Sequence, residues 1–289
     1  MNRRAAELRA DAEAALSALP ALMLSAERLA AAATSGLHGK RRPGTGEDFW
    51  QYRPATAGDT ARSIDWRRSA RSDAQFVRDR EAEVAQSVVL WVSGAAGMDF
   101  SGAPARPTKT DRANLLALAL VLALLGGGER VALAGQSPRP GRAQADRIGM
   151  ALLSRAALTV DEDMPPPESL RPGQRVILID DFLGDPAPVL AYLERAAALG
   201  IEGALLQILD PDEESFPYSG AVLFRSGSGA LRHDTRDAGG LRAAYLARLA
   251  ERRESLSRAA MQAGWHFGTH DTAAPPAQAL LWLWSVLEG

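Results

Sequence analysis

From Ser87 onward, short apolar strand-like runs alternate with helix-like ones, and that alternation restricts the fold to a single class. Ser87–Val92 (SVVLWV), Arg130–Ala134 (RVALA), Arg175–Ile179 (RVILI), Gly203–Leu209 and Trp265–Gly268 read as strands. Helical stretches separate them at Thr110–Leu125, Arg142–Ala157, Pro188–Leu199 and Leu241–Ala263, a last helix covers Pro275–Glu288, and Ala221–Arg225 with Ala230–Asp234 forms a hairpin. Strands that are apolar on both faces and joined by helices must lie parallel, because only a crossover returns the chain to the same sheet edge. The fold class expected is therefore α/β, a mostly parallel Rossmann-like sheet with helices on both faces. In such sheets ligands sit at the carboxyl ends of the strands, so Ser93–Met98 and Asp180–Asp185 fall on one rim.

Other features bound the remainder. The longest apolar run, Leu115–Leu125 (LLALALVLALL), is about half of the roughly 20 residues a bilayer-crossing helix needs, so it reads as a helix buried under the sheet. The N-terminus is charged throughout, without the apolar core of a signal peptide. No membrane insertion and a cytoplasmic location are expected. A net charge of −2 and a pI near 6.1 give no overall positive field for nucleic acid. The 289 residues include no cysteine, which removes disulfides, thiolate nucleophiles and zinc–sulfur sites together.

Ahead of the sheet lie two further segments. Residues 4–33 carry Leu8, Ala12, Leu16, Leu19 and Met23 at helical spacing, an amphipathic helix or pair broken near Pro20. Gly44–Glu81 has no regular period; turn signals recur at Gly44, Gly46, Pro54, Gly58 and Asp59 among aromatics and both signs of charge. The chain thus divides into an N-terminal helical segment (1–34), a charged arm (35–85) and the sheet domain (86–289). Asp161–Pro172 is acidic and proline-rich, a surface connection.

Candidate sites carry a structural and a functional reading each. In the arm, Glu47, Asp48, Asp59 and Asp65 can pair with Arg53, Arg62, Arg67 and Arg71 to satisfy the backbone of an irregular segment. Alternatively, arginines with Trp50, Tyr52 and Trp66 form a docking face, since these residue types dominate interface energy. Asp180–Asp181 could be an acid/base pair of a hydrolase, or one of them a helix cap. Asp185 before Pro186 reads as an N-cap. His266 and His270 are four apart but on a strand, where a helical two-histidine metal face is unavailable. Gly126–Gly128 lacks the lysine and serine or threonine of a phosphate loop and reads as a helix C-cap. Trp282 and Trp284 read as core packing of the last helix.

The arm residues Gly44-x-Gly46, Glu47–Phe49, Tyr52–Arg53, Gly58–Asp59, Arg62, Ile64–Asp65–Trp66 and Ser69–Ala70–Arg71 resemble the signature of the domain of unknown function 58 family. Gly128–Leu133, Asp181–Leu183, Asp210–Pro211 with Glu213 or Glu214, and Leu241–Tyr245 extend the likeness in order, over about residues 35–288. The resemblance implies a von Willebrand factor A-like fold and, as partner, a MoxR-type AAA+ ATPase acting on an unknown client protein. Members with a metal-ion-dependent adhesion site carry Asp-x-Ser-x-Ser before a methionine. Aligned on Met98, those positions here are Ser93, Ala95 and Gly97, leaving Asp180 or Asp181 as the rim's carboxylate. The expectation is a non-enzymatic interaction module with a degenerate metal site and no cofactor. Its recognition surface joins Arg53, Asp59, Arg62, Asp65, Trp66 and Arg71 of the arm with the rim at Ser93 and Asp181. The alternatives are a metal-dependent ligand-binding domain and an aspartate-based hydrolase.

Overall fold

The alternating pattern folds, in a computed structural model, into five parallel strands: β3 (Ser87–Val92), β4 (Arg130–Leu133), β5 (Gln174–Asp180), β6 (Glu202–Leu209) and β9 (His266–Asp271). The structure describes residues 17–33, 51–55, 64–70, 75–79, 85–154, 164–225 and 232–288. Strand order is β4-β3-β5-β6-β9. The chain leaves β3 toward one edge, then returns past it to build the other side, so the topological switch lies between β3 and β5.

Each central strand sends alternate side chains to opposite faces. Val88, Leu90, Val92, Ile177, Ile179, Leu206 and Ile208 form one core with α3 (Lys109–Gly126), α4 (Arg142–Leu153), α8 (Pro276–Glu288) and helix α1 (17–33). Val89, Val176, Leu178 and Leu205 meet α5 (Ala187–Ala198) and α7 (Ala238–Gln262) on the other face. Helices therefore cover both faces, as the alternation requires. The apolar run Leu115–Leu125 is the middle of α3, and no helix among the described residues is long and apolar enough to cross a membrane.

Two compact units emerge, one of residues Met1–Leu37 with Gln86–Gly289 and one of His38–Ala85. The N-terminal helix, expected as a segment of its own, groups with the sheet unit and buries Met23, Ala26, Leu29 and Ala33 in the same core as α3 and α4. It runs through Pro20 without a break in 17–33. Within the arm unit, β1 (Gln51–Pro54) pairs antiparallel with β2 (Phe76–Asp79), and the one-turn helix α2 (Trp66–Ser69) lies between them in sequence. The turn is tied to β2: Asp65 N–H donates to the Phe76 carbonyl at 2.8 Å, and Phe76 N–H to Ser69 Oγ at 2.9 Å.

Smaller expectations resolve in the same way. Asp185 receives the Ala187 N–H at 3.0 Å with Pro186 already in helical conformation, so it caps α5. Gly127 caps α3, and Gly128 takes φ 85°, a conformation that costs glycine no Cβ clash. Trp282 and Trp284 pack against the core, as read from α8's pattern. The hairpin of β7 (Val222–Arg225) and β8 (Arg232–Thr235) forms a separate two-stranded sheet.

Candidate functional site at the carboxyl rim of the sheet

At the switch point, the loops after β3, β5 and β6 converge with the first turn of α3. Ser93, Ala95, Gly97, Asp180 and Asp181 all come to this rim. Ser93 N–H continues the ladder to the Ile179 carbonyl at 2.9 Å, and its Oγ accepts the Ala95 N–H at 3.2 Å. A Cβ on Gly97 would stand 3.5 Å from Asp181 Oδ2, an ordinary contact, so the backbone itself does not demand glycine there. The oxygens at 95 and 97 are lacking because of the residue type, while the backbone still faces the carboxylate.

The centre of the rim is Lys109, 1% exposed at the start of α3. Its Nζ donates to Asp181 Oδ2 at 2.7 Å and to Glu213 Oε1 at 2.6 Å, with the Phe100 ring 5.9 Å away. Burial pulls the lysine pKa down, but the two carboxylates more than offset it and hold Lys109 above the ordinary lysine value. One ammonium cannot compensate two carboxylates fully, and burial holds Glu213 above the usual carboxylate range against the pull of Lys109. Thr108 positions the lysine: its side chain takes the Asp111 N–H at 3.0 Å, and Asp111 takes the Thr108 N–H at 3.2 Å, a capping box at the α3 N-terminus.

Around that ammonium runs a connected polar network. Asp181 Oδ1 accepts the Leu183 N–H at 2.9 Å, and its carbonyl accepts Gln207 Nε2 at 2.7 Å. Gln207 in turn accepts Arg253 Nε at 2.8 Å, and Arg253 pairs with Glu214. Glu213 Oε2 receives the Asp210 N–H at 3.0 Å, closing a second capping box on α6 (Pro211–Ser215). Arg106 bridges Asp212 at 2.7 Å and Asp210 at 3.3 Å. Thr272 Oγ1 donates to Asp210 Oδ2 at 3.2 Å, and Arg112 donates to the Thr272 and Ala274 carbonyls at 2.6 and 2.7 Å. Three strand ends are thereby tied to one helix terminus.

Asp180 stands apart from this network. Ser93 and the Asp181 and Phe182 backbone bond its carboxyl, while Oδ1 is buried without a hydrogen-bond partner. Burial, with the neighbouring Asp181 charge, pushes Asp180 up to about 7. The residue as a whole is half-buried, but the unpaired oxygen is out of solvent contact.

A divalent metal of the kind held by an intact metal-ion-dependent adhesion site does not suit these residues. Hard cations take several oxygen ligands, whereas Ala95 and Gly97 supply no side-chain oxygen and an ammonium already lies between Asp181 and Glu213. Among the described residues, no group of three or more histidine, aspartate or glutamate side chains is arranged to hold a metal ion. His266 is exposed and His270 buried against Arg112, at opposite ends of β9.

Of the arm candidates, Asp59, Arg62 and Arg71 lie outside the described residues. Arg53 sits on β1 opposite Val77. Asp65 is half-buried, and Trp66 is 56% exposed on α2. Sequence reading did not mark Lys109, Arg106, Arg112 or Arg253 as site residues. The available signal for Lys109 was its rarity: it and Lys40 are the chain's two lysines, and it opens a helix that is apolar almost all round.

Residues 51–255 match the model of the family described as protein of unknown function DUF58, well over half of the chain. The chain belongs to the DUF58 family. Uncharacterized proteins of Mycobacterium tuberculosis and Mycobacterium bovis are 29% identical to this DUF58 chain over 211 residues, 68% of it and 65% of each relative's length. The chain thus spans less than two thirds of those relatives. Among solved structures, the conserved hypothetical protein BatB from Bacteroides thetaiotaomicron aligns with TM-score 0.41 and 16% identity, over 71% of this chain and 100% of that one. An aerotolerance-related membrane protein from Bacteroides fragilis aligns at 0.43 and 15%, with the same coverage.

Proposed function

We propose that this DUF58 chain is a non-catalytic protein-interaction module, an adaptor or chaperone-like partner of a MoxR-type AAA+ ATPase acting on a client protein in the cytoplasm. The observation that carries this reading is Trp66. An indole more than half exposed, on a turn stitched to β2 by Asp65 and Ser69, offers a large rigid surface whose burial is unused by the fold. The charged rim supports the same reading from the side of chemistry. Lys109, Arg106 and Arg253 each spend their charge on rim carboxylates, an arrangement suited to fixing loops rather than to turning over a substrate.

The test is capture of a purified MoxR-type AAA+ ATPase, with and without nucleotide. Arg62→Glu and Arg71→Glu, in the signature segment, are expected to cut capture at least tenfold while circular dichroism stays that of the wild type. Undiminished capture by both folded variants, or none by the wild-type chain, would sink the reading.

A further inference from the structure

We propose that the Lys109 ammonium is the rim's resident cation, holding the β5 and β6 loops on the α3 N-terminus as a bound divalent metal would, so that this rim is set without metal. The placement argues for it directly. Nζ lies 2.7 Å from Asp181 and 2.6 Å from Glu213, one carboxylate just beyond the carboxyl end of each of two adjacent central strands. Those separations are the charge-assisted N–H···O distances of a fully engaged ammonium, so the positive charge that joins the two carboxylates is the lysine's own. Lysine at this depth is otherwise costly, and the chain places one here while using arginine nearly everywhere else. An ammonium is a compact point charge with three donors, so a single nitrogen serves both carboxylates here.

Gly97 completes the case. A side chain there would come within ordinary contact of Asp181 Oδ2, the same oxygen that Lys109 engages. Glycine there brings no side-chain oxygen to compete for that carboxylate. A partner docking at this rim meets a closed ion-pair cluster, with no open coordination position for a carboxylate of its own. The inference is independent of which protein docks there, and its test needs no partner.

Thermal melting of the full chain decides it. Lys109→Met, neutral and of similar length, is expected to lower the melting temperature by about 10 °C, because it strands two carboxylates. Lys109→Ala, which opens the cation position, is expected to be raised again by millimolar Ca²⁺, Mn²⁺ or ethylammonium, while the wild type is unmoved by any of them. Should the single variants not fold, Lys109→Met with Asp181→Asn and Glu213→Gln replaces them, and a folded triple variant supports the charge role. The inference is overturned if metal raises the wild-type melt or if Lys109→Met melts with the wild type. It is equally overturned if no cation restores Lys109→Ala, or if the triple variant fails to fold where the single ones fail.

Discussion

His270 is buried at the carboxyl end of β9 with its Nε2 3.2 Å from Arg112 Nη1. An arginine can only donate, so Nε2 must accept and the imidazole must be the neutral tautomer protonated on Nδ1. Burial first, then the Arg112 charge from α3, push its pKa from 6.5 down to about 4, with the adjacent Asp271 opposing. A histidine pKa lowered by folding means the unfolded chain binds the proton more tightly. Its contribution to stability is therefore complete above 6.5 and is lost as pH falls through about 4. We expect His270→Gln to flatten the fall in stability between those two pH values, by about 2–3 kcal/mol at most, as read by urea unfolding at each pH. An unchanged slope would mean that other groups govern it. This residue shows what periodicity cannot deliver: His266 and His270 look alike in sequence, and only the approach of Arg112 from α3 to the carboxyl end of β9 makes His270 a buried acceptor while His266 stays exposed.

The elements of the sheet were legible because each carries its own period or apolar run. Thr110–Leu125, read as a helix, is observed as Lys109–Gly126, and Arg175–Ile179 as β5 from Gln174 to Asp180. Strand Trp265–Gly268 extends instead to Asp271, because pairing with β6 carries polar Thr269, His270 and Asp271 along in register. Polar residues at a rim look like loop to any reading based on apolar content. Glycines in strands carry a related message, since they mark close approach. A Cβ on Gly203 of β6 would lie 2.0 Å from the Val176 carbonyl and 3.0 Å from the Trp265 ring. On Gly268 of β9 the nearest atoms it would meet belong to the Trp282 ring, at 2.6 Å. A half-buried indole can turn where a ladder carbonyl cannot. Gly203→Ala is thus expected to cost about 3 kcal/mol or more, and Gly268→Ala about 1–2 kcal/mol, by chemical denaturation. The reverse ranking would refute this account of the two contacts. At the α3 terminus, Thr108→Ala removes the capping box that presents Lys109 and should cost about 1 kcal/mol.

For the molecule as a whole, topology follows from the alternation, and the switch point between β3 and β5 follows from topology; hence the rim could be located from sequence while its chemistry could not. Lys109, Asp181 and Glu213 are brought together across 104 positions of chain, and no local pattern announces a pair of that span. The arm poses the opposite case, legible as a signature but not as a shape, because half its residues have turn or charge character without a period. Its compactness as a unit of its own, His38–Ala85, makes a two-way prediction possible. Trp66→Ala removes an indole that is 56% exposed, so little packing is lost and the melting temperature should stay within about 2 °C of the wild type. Truncating a central aromatic of an interface commonly costs 2 kcal/mol or more, so capture of the proposed partner, a MoxR-type ATPase, should fall about thirtyfold. Lys109→Met should do the reverse, moving the melt far more than capture by the arm. If Trp66→Ala instead lowers the melt and leaves capture intact, the arm's aromatics serve its own fold, and docking must be sought on another face.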